Sequence, residues 1–452
     1  MDNSIGKIIR IVPRSRNIEL LLLIFAIGLS AFELAQVQLS VIQVLRSDLW
    51  VYLAPPAAAV LVLHVVLRLR ASEADPLLLP LAYSLNSLGI AEIYRLDLSK
   101  AAIKGAELFA VKQVNWTVIA VAIAVLVILF VRSHLFLRRF IYISMILGIA
   151  LLLSPVLPGI GRTINGARLW IGFGGLTFQP GELAKIALTV FFAGYLVSRK
   201  DSLSLVGRRI LGIHLPRARE LGPILVIWLV SLGVLVLERD LGTSLLYFGL
   251  FLVMIYLATG RAIYVVTGLT MFVTGALVAG RLMNYVTGRI NAWLDPFNPV
   301  NYDAVGGSYQ LAQGNFGLAH GSLLGTGLGG GLPQLVPLAE SDFIFSSLGE
   351  ELGLAGVFVL LLVYLLLVSR GIRIGFTHSD DFSKLLAAGL SFVLALQTFI
   401  VVGGVTRVVP LTGLTTPFLA AGGSSLLANW IIIGLLLRVS DSAGGQQRTV
   451  TL

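Results

Sequence analysis

The residues able to do chemistry in this chain lie in four short stretches. The longest is Asn284–Asp342, which contains DPFNPVNYDAVGGSYQ (Asp295–Gln310) and closes with ESDFIF (Glu340–Phe345). Loops much longer than about 15 residues without regular structure are usually functional or disordered. Aromatics, paired glycines and spaced carboxylates argue against disorder here. Asp295, Asp303 and Asp342 are carboxylates of the kind that serve as general bases, a role contributing roughly 10²–10⁴ in rate. A second stretch is GRTINGARLWIGFGGLTFQPGELAK (Gly161–Lys185). Asn165-Gly166 is a turn signal, and Glu182 and Lys185 share one face of the helix that follows. Charges within a membrane span face a cavity or each other. The pair therefore either anchors a helix end or belongs to a site. In the third, Glu238-Arg239-Asp240 makes a tight turn before LGTS, where Asp240 either caps the next helix or serves the site. The fourth, VTRVVPLTGLTTPFLAAGGSS (Val405–Ser425), has prolines and glycines that imply irregular backbone dipping into a membrane. Such backbone is tolerated only when buried in protein or lining a cavity. Arg407 would then stand at a cavity mouth, able to meet an anionic group.

The elements that must position these residues are membrane helices. The 452 residues are 57% hydrophobic and 12% charged, with mean hydropathy +0.91. A soluble chain carries about 25% charged residues. The apolar runs are continuous rather than alternating, so an all-α polytopic membrane protein is expected rather than a barrel. Roughly twelve spans can be read, at about 18–41, 50–68, 77–94, 114–131, 138–155, 181–198, 222–237, 241–258, 262–282, 343–369, 385–404 and 417–437. The span 77–94 is the most polar, with Asn86, Ser87 and Glu92. Lys and Arg cluster at alternate ends of the spans, which predicts both termini in the cytoplasm and the long loop outside. The net charge of +10 belongs to residues flanking spans, so nucleic acid is not an expected partner. With no cysteine, disulfides and thiolate metal sites are excluded. The five histidines lack ligand spacing, and no cleavable signal peptide is evident. GTGLGGG (Gly325–Gly331) lacks the strand that a dinucleotide-binding loop follows and reads as flexible loop glycines.

Taken together, these stretches resemble the SEDS family (shape, elongation, division and sporulation), the RodA/FtsW proteins. GARLWIGFGGLTFQPGELAK resembles the family's GA-R-W stretch running into FQPSE-x-AK. RDLGTSL resembles its PDLGT turn, and GGSYQLAQGNFGLAHGSLLGTGLG its GYQ…G-GLFGKGLG run. LAESDFIFSSLGEELGLAG resembles HTDFIFA-IGEELG-xG, and PLTGLTTPFLAAGGSS resembles P-TG-LPF-S-GGSS. The match runs in the family's order from about residue 77 to 438. Residues 1–76 would hold the N-terminal tail and two spans beyond the common ten-span core, and residues 439–452 a short cytoplasmic tail. The length suits RodA slightly better than FtsW. Gly181 stands where the family has Ser, Ala304 follows Asp303 where Pro is usual, and Glu340-Ser341 replaces His-Thr.

The resemblance implies a peptidoglycan glycosyltransferase that polymerises lipid II, a disaccharide-pentapeptide on undecaprenyl pyrophosphate. It would act on the outer face of the cytoplasmic membrane beside a class B penicillin-binding protein, in elongation or division. The family's proposed catalytic Asp lies seven residues before the Gln of its motif, which falls on Asp303, with Asp295 as the alternative. The implied substrate residues are Arg168, Gln179, Glu182, Lys185, Asp240, Tyr309, Gln310, Asp342 and Arg407. An α-linked donor and a β-linked product fit a single inverting displacement. Arg168, Lys185 and Arg407 are the basic candidates for the pyrophosphate, with room for a divalent cation, Mg²⁺ or Mn²⁺. No nucleotide cofactor is expected, since the donor arrives activated. Two other readings remain open, a lipid II flippase and a non-catalytic scaffold of the wall-synthesis complex.

Overall fold

The computed structural model describes residues 14–450 except 101–106, 165, 174–175, 205–208, 211–212, 215–225, 227–228, 231–232, 235 and 305–306. Two helices lead the chain, α1 (Arg14–Val41) and α2 (Leu49–Arg70). Along α1, Leu23, Ala26, Leu34 and Val37 are buried while Leu21, Phe25 and Phe32 are exposed. One face therefore packs on the bundle, and the other is suited to lipid. The remaining long helices are α3 (Leu78–Lys100), α4 (Ala110–Phe130), α5 (Ile141–Leu153), α6 (Pro180–Ser204), α7 (Leu241–Thr259) and α8 (Ala262–Leu282). Beyond the shorter helices described below come α12 (Ile344–Thr377), α13 (Asp381–Val405) and α14 (Gly423–Val450).

Among the described residues, ten helical segments are long and apolar enough to cross a membrane, so the chain is a multi-pass membrane protein. They coincide with ten of the twelve spans read from the sequence. The span 77–94 is helix α3, too polar to join those ten but buried along almost its whole length. Its Asn86 Oδ1 accepts from Trp430 Nε1 at 3.0 Å, and its Nδ2 donates to Thr117 at 3.2 Å. Polar side chains thus act as interhelical bonds within the bundle. The span 222–237 lies largely outside the described residues, as do residues 1–13 of the N-terminal tail.

Asn284–Asp342 is more ordered than a loop reading implies. It holds α9 (Asn284–Leu294), the single turn α10 (Pro299–Tyr302) and α11 (Tyr309–Gly321). Asn298 starts α10 by accepting from Val300 N, with Pro299 at the first helical position. The GTGLGGG glycines are pinned rather than free. Gly329 N donates to Glu351 Oε2 at 2.7 Å, and Thr326 N and Gly327 N donate to the carbonyls of Glu350 and Glu351. Arg95 of α3 joins them, donating to Glu351 at 2.6 Å and to Gln334 at 2.7 Å. The carbonyls are available because α12 is interrupted at Gly353, whose φ of +68° is open to glycine.

The fold is helical apart from small sheets. β1 (Gly161–Ile164), β2 (Ala167–Phe173) and β3 (Leu176–Phe178) form an antiparallel meander between α5 and α6, with the register Arg162↔Trp170 and Gly172↔Thr177. Of the Asn165-Gly166 turn signal, Gly166 lies between β1 and β2 with φ +79°, and Asn165 lies outside the described residues.

Candidate active site

Two polar clusters form where the long-loop end of the bundle meets the helices. The first lies inside it. Lys185 Nζ donates to Glu182 Oε2 at 2.5 Å, to Gln397 Oε1 at 2.8 Å and to Asn429 Oδ1 at 3.0 Å. The three ammonium donors are thereby spent, and all four side chains are buried. Gln397 also donates to the Thr415 carbonyl at 2.9 Å. This tie binds α6, α13 and α14 to the irregular segment 406–422. A buried pair that is fully hydrogen-bonded is the form in which a membrane interior tolerates charge.

The second cluster brings Asp240, at the start of α7, and Asp342, just before α12, together with Tyr285 and Arg289 of α9. Asp240 caps α7, accepting from Gly242 N at 2.9 Å and Thr243 N at 3.0 Å, and its other oxygen accepts from the Thr243 hydroxyl. It is therefore both a helix cap and a member of the cluster. Gly242 lets the segment 411–414 close over this helix start, because a Cβ there would lie 2.6 Å from Leu414. Gly413, at φ +77°, brings backbone beside Asp342, with its Cβ position 3.7 Å from Oδ2. Arg289, half-buried on α9, donates to the Leu411 carbonyl at 3.1 Å and stands 5.3 Å from the centre of the Tyr285 ring. Burial raises the Asp342 carboxyl to about 6, with Arg289 as the largest opposing influence. Burial also raises Asp240, countered by its Thr243 and Gly242 donors and by Arg289. No carboxylate lies within ion-pair distance of Arg289 among the described residues.

The other expected site residues are spread around these clusters. Asp303 follows α10 and is exposed, and its backbone N donates to the Pro299 carbonyl at 3.1 Å. Asp295 is exposed and accepts from Asn298 at 3.4 Å. Gln310 Nε2 donates to the Pro337 carbonyl at 2.7 Å, and exposed Tyr309 packs edge-on against Tyr302 at 5.2 Å. Arg168 is exposed on β2, while Gln179 donates through its backbone N to Ser424. Arg407, at φ +63°, donates to the Trp293 carbonyl at 3.1 Å and accepts Trp293 Nε1 at its own carbonyl. Its guanidinium thus clamps α9 to the segment 406–422.

Sequence reasoning missed four of the clustered residues. Gln397 and Asn429 are polar residues within apolar spans, a signal that could have found them. Tyr285 and Arg289 sit four apart, on one face of a helix, in a stretch read as loop.

Below the clusters lies an apolar cavity of about 390 Å³ between α5, α6 and α7, lined by Met145, Ile149, Leu188, Phe192, Tyr247 and Phe251, among others. Tyr247 joins the two regions. Its ring lines the cavity, and its hydroxyl donates to the Gly181 carbonyl at 2.7 Å, next to Glu182.

The family model for cell cycle proteins of the FtsW, RodA and SpoVE type matches residues 76–444. The peptidoglycan glycosyltransferase RodA of Mycobacterium tuberculosis is 45% identical over 444 residues, 97% of this chain and 93% of that protein. A probable peptidoglycan glycosyltransferase FtsW of Geobacter metallireducens is 34% identical over 306 residues, 67% of this chain and 78% of its own. Among solved structures, a chain from work on the structural coordination of polymerization and crosslinking by a peptidoglycan synthase complex superposes with TM-score 0.62. It is 26% identical, covering 82% of this chain and 98% of its own. Motifs, helical bundle and relatives agree: the chain belongs to the SEDS family of FtsW and RodA proteins, on the RodA side of it.

Proposed function

We propose that this chain is a peptidoglycan glycosyltransferase that polymerises lipid II into glycan strands. The observation that carries the reading is the juxtaposition of a charged cluster with an apolar cavity, joined through Tyr247. A lipid-linked sugar has these two halves, a polar group to be transferred and a hydrocarbon chain to be housed within the bundle. Near-full-length similarity to a protein named for this activity supports the same chemistry.

The reaction needs one proton removed from the acceptor hydroxyl as that oxygen attacks the donor's anomeric carbon. The pyrophosphate leaves from the opposite face, so configuration inverts. Asp303 is the proposed base. It stands seven residues before Gln310, where the SEDS motif places its carboxylate, and its exposed side chain is open to an incoming strand end. Asp295, exposed in the preceding turn, is the alternative. Among the described residues no three His, Asp or Glu converge on one point. A cation here would fit the pattern in which one or two carboxylates and substrate phosphates share it. Asp342 would then be the carboxylate that holds Mg²⁺ or Mn²⁺, which would supply positive charge at the departing pyrophosphate.

The orientation proposed is N- and C-termini in the cytoplasm, as the Lys and Arg distribution supports, with both clusters toward the outer face of the cytoplasmic membrane. The proposed partner is a class B penicillin-binding protein, which would crosslink the strands; the structural neighbour comes from a complex that couples those activities. The test is to supply purified lipid II to the detergent-purified chain with such a partner present. Glycan and released undecaprenyl pyrophosphate are expected. Transbilayer movement of lipid II in proteoliposomes without any glycan would replace polymerisation with flipping.

A further inference from the structure

We infer that Arg289 is the cation that receives the donor's pyrophosphate, an inference that rests on the glycosyltransferase reading. The three basic residues expected for this task are otherwise engaged or exposed. Lys185 spends its three donors on Glu182, Gln397 and Asn429. Arg407 bonds the carbonyls of Trp293 and Leu294. Arg168 lies exposed on the β2 strand, where solvent weakens its pull on an anion.

Arg289 also bonds one carbonyl, but it stands in the cluster itself, where its charge acts on both Asp240 and Asp342. It is half-buried and held from one side, with Nη1 on the Leu411 carbonyl at 3.1 Å and the Tyr285 ring 5.3 Å away. The rest of its five-donor fork is uncommitted to any carboxylate among the described residues. Asp240 and Asp342 act on it electrostatically from beyond ion-pair distance. That arrangement keeps a cation in place without neutralising it by contact, leaving its donors for a bidentate phosphate. The closure of segment 411–414 over α7, made possible by Gly242 and Gly413, fixes the carbonyl that orients the guanidinium. Asp240 starts the helix whose Tyr247 lines the apolar cavity, so one element links the pyrophosphate end to the hydrocarbon end. Positive charge at the departing oxygen stabilises the charge that develops there.

The test measures binding of undecaprenyl pyrophosphate and of undecaprenol to the detergent-purified full chain, as wild type, Arg289→Ala and Arg289→Lys. Steady-state polymerisation of lipid II is followed alongside, and thermal unfolding reports folding. Loss of charge-assisted bonds should weaken pyrophosphate binding by roughly 10- to 100-fold in Arg289→Ala, with undecaprenol binding unchanged. Arg289→Lys, which keeps the charge but loses the fork, should fall between. If Arg289→Ala does not fold, the Lys variant carries the comparison. Equal pyrophosphate binding in wild type and the folded variants overturns the inference. So does an equal loss for both ligands, which would mark a structural role. Displacement of undecaprenyl pyrophosphate by phosphatidylglycerol from wild type but not from a folded Arg289 variant would assign the site to lipid headgroups instead. A wild type that binds the pyrophosphate through Arg289 yet makes no glycan would remove the glycosyltransferase reading and leave the binding site standing.

Discussion

At the scale of single residues, the buried pair Glu182–Lys185 and the half-buried Asp342 make opposite demands on charge. Removing one member of a buried pair leaves an uncompensated charge, at a cost of about 3–5 kcal/mol. Lys185→Met should therefore lower the unfolding temperature in detergent more than Glu182→Gln/Lys185→Met, which removes both charges. A double variant less stable than the single one would contradict the pairing. Asp342, raised to about 6 by burial, is protonated below that pH and ionised above it. If its negative charge helps hold Arg289, polymerisation should fall as pH drops through about 6. Asp342→Asn should have lower activity that no longer changes across that window. An acid limb unchanged in Asp342→Asn would place the titration elsewhere. The Glu182–Lys185 contact was legible from i, i+3 spacing alone. Their partners Gln397 and Asn429, more than 200 positions away, become visible only when α13 and α14 pack against α6.

At the scale of elements, the segment 406–422 organises the site, and glycines permit its approach. A Cβ on Gly89 of α3 would lie 2.4 Å from the Leu419 carbonyl oxygen, which is backbone and cannot turn aside. Gly89→Ala should therefore displace Phe418–Leu419, at a cost of about 1–3 kcal/mol, read as a lower unfolding temperature. Unchanged stability would show that α3 and this segment are not in close contact. The prolines and glycines of Val405–Ser425 did announce irregular backbone, and Asp240 did announce a helix cap. The helices within Asn284–Asp342 were less legible. Their apolar faces are short, and Asn298 caps a single turn that no periodicity can reveal. The sheet at 161–178 was hidden because its strands, at three to seven residues, are short. The glycine run 325–331 read as flexible because its anchors, Glu350 and Glu351, lie in another helix, just before its kink at Gly353.

At the scale of the whole molecule, the bundle places a hydrocarbon-lined cavity under a charged rim, and the polymerase reading depends on that layout. Class and approximate span number follow from the 57% hydrophobic composition, because lipid admits few solutions for the backbone. The span at 77–94 was the hardest to judge since α3 is buried by protein on nearly every side, so it can carry Asn86, Glu92 and Arg95. The cavity itself was not legible, because Tyr195, Tyr247 and Phe251 show no pattern distinguishing a cavity wall from a packed core. The most direct test of the polymerase reading compares glycan synthesis from lipid II by wild type and Asp303→Ala, each with the same class B penicillin-binding protein. The two proteins must be matched for folding and partner binding. The account predicts polymer from wild type and a drop of roughly 10²–10⁴ in the variant. Equal polymer from both would contradict Asp303 as the base, and no polymer from wild type would contradict the activity itself.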